Sequence, residues 1–129
     1  MGKEYIKGER EESRAYSRAV KAKGGTSVYL AGVGGAVDAQ GNSLAGDFAA
    51  QTHAVFARIR DNLAQAGGTL DDIVTMTVFI TDSRYGDEFI GIRKQYFSHG
   101  YPASALIGVH SLARPEMLVE VQAIAFLDD

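Results

Sequence analysis

The 129-residue chain contains no cysteine. Disulfides, thiolate metal ligands and cysteine nucleophiles are therefore excluded, and the composition fits a reducing compartment. A basic excess is missing too: 13 Lys and Arg stand against 16 Asp and Glu, a formal net charge of −3. Proteins that hold a phosphate backbone usually show such an excess or a basic stripe, and neither is present. No apolar run approaches the ~18 residues that a membrane span needs. Residues 1–14 are charged and polar, without the apolar stretch of a signal peptide. These features predict a soluble, cytoplasmic protein with no nucleic-acid or membrane partner. The three histidines lack metal-ligand spacing, and the glycine-rich stretch 32–46 does not match a phosphate-cradling pattern. No repeat, low-complexity segment or linker divides the chain. Its length suits one core and is too short for two, so a single domain over residues 1–129 is expected.

What is present is a succession of short periodic segments. Residues 3–13 are too charged for a core and read as a tail or marginal edge segment. The apolar runs 19–22 and 27–33 flank Lys23-Gly24-Gly25-Thr26, a hairpin signal. Stretch 32–46 reads as loop with one short strand at 36–38. The clearest periodicity lies in residues 47–66, where Phe48, Thr52, Val55, Ile59, Leu63 and Ala66 fall on one helical face. Asp47 suits the N-cap, and Gly67-Gly68 the stop. Residues 72–81 predict a strand with Val74, Met76, Val78 and Ile80 on one face and Ile73, Thr75, Thr77 and Phe79 on the other. Two apolar faces require cover on both sides, and a second subunit is the simple way to cover the outer one. A helix is predicted over 88–99, with Phe89, Ile92, Tyr96 and Phe97 inward, and a strand over 103–109. A final strand, 117–127, carries Leu118, Glu120, Gln122 and Ile124 on one face and Val119, Val121, Ala123 and Ala125 on the other. Strands mixed with two helices on one side give an α+β architecture.

Several short motifs occur in a telling order: Tyr16-Ser17-Arg18-Ala19-Val20, Ala31-Gly32, Gln51-Thr52, Val78-Phe79-Ile80-Thr81-Asp82, Pro102-Ala103, and Leu118 through Ala125 (LVEVQAIA). From about residue 15 to residue 127 the chain resembles the RidA/YjgF family. The resemblance implies a chorismate-mutase-like subunit, a mixed sheet with two helices on one face, assembled as a trimeric barrel with ligand clefts between subunits. It further implies a cofactor-independent hydrolase of reactive enamines and imines, a deaminase that releases ammonia from a small-molecule substrate. A non-catalytic small-molecule-binding or stress-response trimer is the alternative.

The same resemblance supplies candidate site residues. Glu120 matches the glutamate that orients the hydrolytic water, and an isolated carboxylate within an apolar strand needs a reason to be there. Tyr16 matches a cleft-lining tyrosine, and Gly32 a glycine whose backbone borders the cleft. The family's motif Arg-Pro-Ala-Arg-Ser, whose second arginine clamps the substrate carboxylate, reads here Tyr101-Pro102-Ala103-Ser104-Ala105. Ser104 therefore stands where the clamp would be, and a hydroxyl does not replace a bidentate guanidinium. The chain is similar to the arginine-lacking branch, and weak activity on simple imino acids is expected. Ile90 replaces an asparagine frequent in the family's second helix. Phe89 and Arg93 are expected at the cleft, because Arg93 lies four residues beyond Phe89 on one helical face and can supply the missing cation. Arg114 and His110, on the loop before the last strand, are further candidates.

Overall fold

A computed structural model describes residues 2–129. In chain order the elements are β1 (Lys3–Ile6), α1 (Glu9–Ser13), β2 (Ala19–Ala22), β3 (Gly25–Tyr29), β4 (Val33–Gly34), α2 (Phe48–Gln65), β5 (Ile73–Ile80), α3 (Gly86–Arg93), β6 (Ala103–Gly108) and β7 (Val119–Asp128). Among the described residues no helix is long and apolar enough to cross a membrane.

Helix α2 begins and ends where its chemistry directs. The Asp47 carboxylate accepts the Ala50 N–H at 3.0 Å, satisfying a first-turn donor. Gly67, at φ +86, turns the chain so that Gly68 N–H reaches the Leu63 carbonyl and Gly67 N–H that of Ala64, a Schellman closure. The expected stripe is buried and widened by Gln51 and Phe56. Ala66, expected inward, is exposed because it is the C-cap.

The main sheet has the order β3-β7-β5-β6, with β4 also paired to β7. β5 and β6 run parallel across the α3 connection, whereas β7 is antiparallel to β3, β4 and β5. Val119, Val121, Ala123 and Ala125 point into the core with Met76, Val78 and Ile80, beneath α2 and α3. This is the mixed α+β sheet with two helices on one face.

Five expectations need correction. Of the two readings of residues 3–13, tail or marginal edge segment, the tail is wrong: β1 pairs with β2 and α1 follows it. The glycine pair does not make a hairpin between the two apolar runs, because β3 pairs with β7 at the far end of the chain, and Gly24, at φ +75, passes the chain from one sheet to the other. Ile73 lies in the core with Met76, since a bulge between Ile73 and Thr75 reverses the alternation. The second helix starts two residues early and ends at Arg93 rather than at 99. Tyr96 N–H goes to Arg93, and Asp71 takes both the N–H and hydroxyl of Ser98, at 2.9 and 2.6 Å, drawing the chain off the helical path. The short strand falls at Val33–Gly34 rather than at 36–38, where Val37 makes only an isolated bridge to Ser43.

The fully buried Gln51 clasps the sheet to the loops above it. Its amide nitrogen donates to the carbonyls of Leu44 (3.0 Å) and Glu116 (2.9 Å), and its oxygen accepts the Leu118 N–H at 2.9 Å. Gln51→Leu keeps the approximate volume and orphans three backbone groups. At ~1–3 kcal/mol for each buried group left without a partner, we expect a loss of about 3 kcal/mol or more in denaturant unfolding. A loss under about 1 kcal/mol would show that the clasp is dispensable.

Candidate functional site

The sequence candidates separate into two groups. Tyr16, Arg93 and Ser104 line one cleft of about 210 Å³, together with Arg14, Ile90 and Leu106. Ser104 and Leu106 pair with Met76 and Val78 of β5, so they share the sheet face that carries the helices. Glu120 pairs instead with Phe79 and Gly34, on the opposite face.

Arg93 is the unusual group. It is 2% exposed, and among the described residues no carboxylate lies within ion-pair distance of it. One terminal nitrogen donates to Ser104 Oγ at 2.8 Å, the other to the Arg14 carbonyl at 3.1 Å. Its Nε is buried without a partner among the described residues. The guanidinium sits 5.2 Å from the Phe89 ring centroid, a favourable cation–π placement. Burial, followed by repulsion from Arg14, pulls its pKa down to about 10. It is therefore still charged at neutral pH.

Phe89 does not line the cleft. It is fully buried, stacks near Phe56 at a centroid separation of 5.9 Å, and supports the guanidinium from beneath. Ile90 and Leu106, which sequence reasoning did not choose as site residues, form the apolar wall.

Arg14 and Tyr16 reach the cleft through a local device. α1 ends with Tyr16 N–H bonded to the Glu11 carbonyl and Ala15 N–H to that of Glu12. This is the Schellman pattern again, with Ala15 where glycine is usual. Ala15 has φ +61, the only positive φ of a non-glycine residue among the described residues. Its methyl is fully buried. The left-handed residue turns the chain so that both of its neighbours border one cavity. The signal for Arg14 was its place two residues before Tyr16, and the left-handed Ala15 between them, where glycine is usual, concealed it.

On the other face, Glu120 and Gly32 are in contact. A Cβ at Gly32 would stand 2.5 Å from Glu120 Oε2, so a larger residue there would displace the carboxylate from this position. Glu120 is half-buried and has no hydrogen-bond or ion-pair partner among the described residues. Arg114 belongs to a different cleft of about 500 Å³, with Arg58, Glu116 and Ser43. His110 is exposed beyond the end of β6. His53 bonds to the Tyr96 hydroxyl. Among the described residues no cluster of His, Asp and Glu is arranged to hold a metal ion.

The family model described as Endoribonuclease L-PSP matches residues 9–127. A RutC family protein of Pyrococcus abyssi is 31% identical over 111 residues, 86% of this chain and 85% of that protein. Among solved structures, a Rid family protein of unknown function from Yersinia pestis superposes with a TM-score of 0.82 at 27% identity, covering 98% of this chain and 100% of the other. A member of the YjgF/YER057c/UK114 family from Mycobacterium tuberculosis gives 0.70 at 33% identity over 97% and 99%. RidA from a Psychrobacter species gives 0.73 at 32% identity over 87% and 88%.

Two outcomes follow from the Arg93 geometry. Arg93→Met removes an unneutralised buried charge and keeps most of the volume. The unliganded variant should melt at or above the wild-type temperature, since apolar replacement of buried charges is often neutral or stabilising. A loss above about 2 kcal/mol would make Arg93 structural. Second, any anion held by Arg93 needs its charged form. Affinity should be flat from about pH 6 to about pH 9 and fall as pH rises through about 10. A transition near pH 6.5 in titration calorimetry would point to a histidine instead.

Proposed function

Because the chain belongs to the RidA/YjgF family, matched along residues 9–127, we propose that it is a small-molecule hydrolase, an enamine or imine deaminase acting on a non-standard anionic substrate. The observation that carries this reading is the contact between Arg93 and Ser104 at 2.8 Å. The family's strand arginine is absent, yet a buried guanidinium from α3 stands against the position that arginine would occupy. The clamp has moved from strand to helix. Its missing counter-ion is the substrate's anionic group, because a buried unpaired charge is costly until a partner arrives.

Glu120 lies on the opposite sheet face from this clamp, so one chain holds two half-sites. A homotrimer supports the complete site: Arg93, Tyr16 and Ser104 of one copy would face Glu120 and Gly32 of the next. The exposed outer face favours such packing, with Ile107 40% and Tyr29 76% accessible. In the reaction the Glu120 carboxylate accepts a proton from water as the water oxygen bonds to the imine carbon. The C–N bond of the resulting carbinolamine then breaks. The nitrogen leaves as ammonia carrying both protons of the water, the first returned by Glu120 and the second given up by the hydroxyl as its oxygen forms the carbonyl product. No cofactor or metal is required. The net charge of −3 offers little attraction to a phosphate backbone, which favours a small molecule over RNA as substrate.

The test is ammonia release from 2-aminoacrylate generated in situ and from bulkier anionic enamines, with light scattering on the same preparation. We expect a trimer mass and turnover of at least one enamine. Glu120→Gln should keep that mass and lower turnover about 100-fold, the scale of general acid–base help. Unchanged turnover in intact trimers would remove Glu120 from the chemistry. A monomer mass would sink the shared site, and ligand binding without turnover would leave a non-catalytic binding trimer.

A further inference from the structure

Arg93 is not the only cation at its cleft. Arg14 borders the same cavity, and its charge is barely neutralised. Among the described residues its carboxylate neighbour is Asp87, 3.4 Å away, whose side chain is 92% exposed. A pair so open to water and salt contributes little. The lining of the cleft includes no carboxylate: besides the two arginines it holds Tyr16, Ser104 and the apolar pair Ile90 and Leu106. Arg93 is nine-tenths buried and more, with Nε unpartnered.

The backbone also holds Arg14 in place. Ala15 adopts a left-handed conformation that L-residues disfavour, and through it Arg14 and Tyr16 meet one cavity. The Arg14 carbonyl meanwhile accepts from Arg93. The two guanidinium-bearing residues are thus tied together by main chain although their charges repel. A ligand with a single negative group would neutralise one cation and leave the other facing it. A ligand with two would neutralise both and relieve their mutual repulsion.

We propose that Arg14 is a second anion-binding residue of this cleft and that the pocket selects small molecules carrying two negative groups, such as dicarboxylates. The proposal rests on the reading that Arg93 holds a substrate anion. The small volume of the cleft, about 210 Å³, confines the two groups to a short separation. Tyr16 borders the same cavity with a hydroxyl that has no hydrogen-bond partner among the described residues, and the Ile90–Leu106 wall accommodates the carbon chain between them.

The experiment is titration calorimetry of the full chain at constant ionic strength. Malonate, succinate and glutarate are each compared with the monocarboxylate of equal carbon number: propanoate, butanoate and pentanoate. At least one dicarboxylate should bind about tenfold or more tightly than its counterpart, the scale of one added charge-assisted contact. In Arg14→Met that ratio should fall to within about twofold of unity. Arg14→Gln serves as a second variant if the first does not fold. Arg93→Met should abolish binding of both classes. A wild-type ratio near one, with binding still lost in Arg93→Met, overturns this proposal and leaves the Arg93 reading intact. A ratio that persists in the Arg14 variants overturns it as well. If none of the acids binds, both readings fall together.

Discussion

The pairing of β5 with β7 is the constraint from which the rest follows. Val78 faces Val121, and Phe79 faces Glu120. Strand side chains alternate strictly, so this single register decides two things at once. It sends Met76, Val78, Val119 and Val121 into the core beneath α2 and α3. It sends Phe79, Glu120 and Gln122 to the other face. β6, parallel to β5, inherits the same division, which puts Ser104 with the helices and Ala105 with Glu120. A slip of one residue would bury Glu120 and expose Val121. The price of a well-fixed core is that the clamp and the carboxylate are parted by the thickness of the sheet. Chemistry that needs both groups then needs a second copy of the chain.

The energetics around Arg93 explain why the helix can carry a cation there. Removing an ion from water costs several kcal/mol even after relaxation. Two charge-assisted hydrogen bonds, to Ser104 and the Arg14 carbonyl, return roughly 1.5–3 kcal/mol each. The Phe89 face adds about 1–2 kcal/mol. These terms nearly offset the penalty without neutralising the charge. The buried charge is thus tolerable rather than comfortable, and under the proposed function an anion would gain most of its own attraction. An ion pair with a resident carboxylate would stabilise the fold more and blunt that gain.

The parts of the fold visible in the sequence were those decided locally. α2 has a cap, a stripe and a glycine stop between Asp47 and Gly67, and its bounds follow almost to the residue. β7 shows its alternation openly, and Glu120 stands out against it. What the sequence hid was decided at a distance. β3 takes β7 as its partner rather than β2, across about a hundred residues. Asp71 ends the helical path beyond α3 by holding Ser98. The bulge beside Ile73 reverses one residue's face with no glycine or proline to announce it. Charged residues 3–13 resembled a tail because Tyr5 and Ile6 alone do not make a strand pattern, and pairing with β2 supplies what propensity does not. The placement of Arg93 beside Ser104 was legible from helical spacing. Phe89 was misplaced because spacing identifies a shared face and leaves depth undetermined. Arg14 was concealed by an alanine in a conformation that sequence patterns assign to glycine.

On the proposed reading the cation comes from the helix rather than the strand, and this alters what the cleft can hold. An arginine at position 104 would project from β6 into the volume where the Arg93 guanidinium now lies, 2.8 Å from Ser104 Oγ. Two guanidiniums cannot share that volume without an anion between them, so the strand clamp and the helix clamp are alternatives. With Ser104 in place, the strand side of the cleft is short and hydrogen-bonding. The charge arrives from the α3 side, fixed by Phe89 packing against the core. Arg14, brought in by the turn at Ala15, then faces a cation anchored from beneath rather than one swinging from a strand. On the proposed reading, two cations on different supports, Arg93 on α3 and Arg14 at the end of α1, border one cleft, and the span between them would set the charge and length of the ligand.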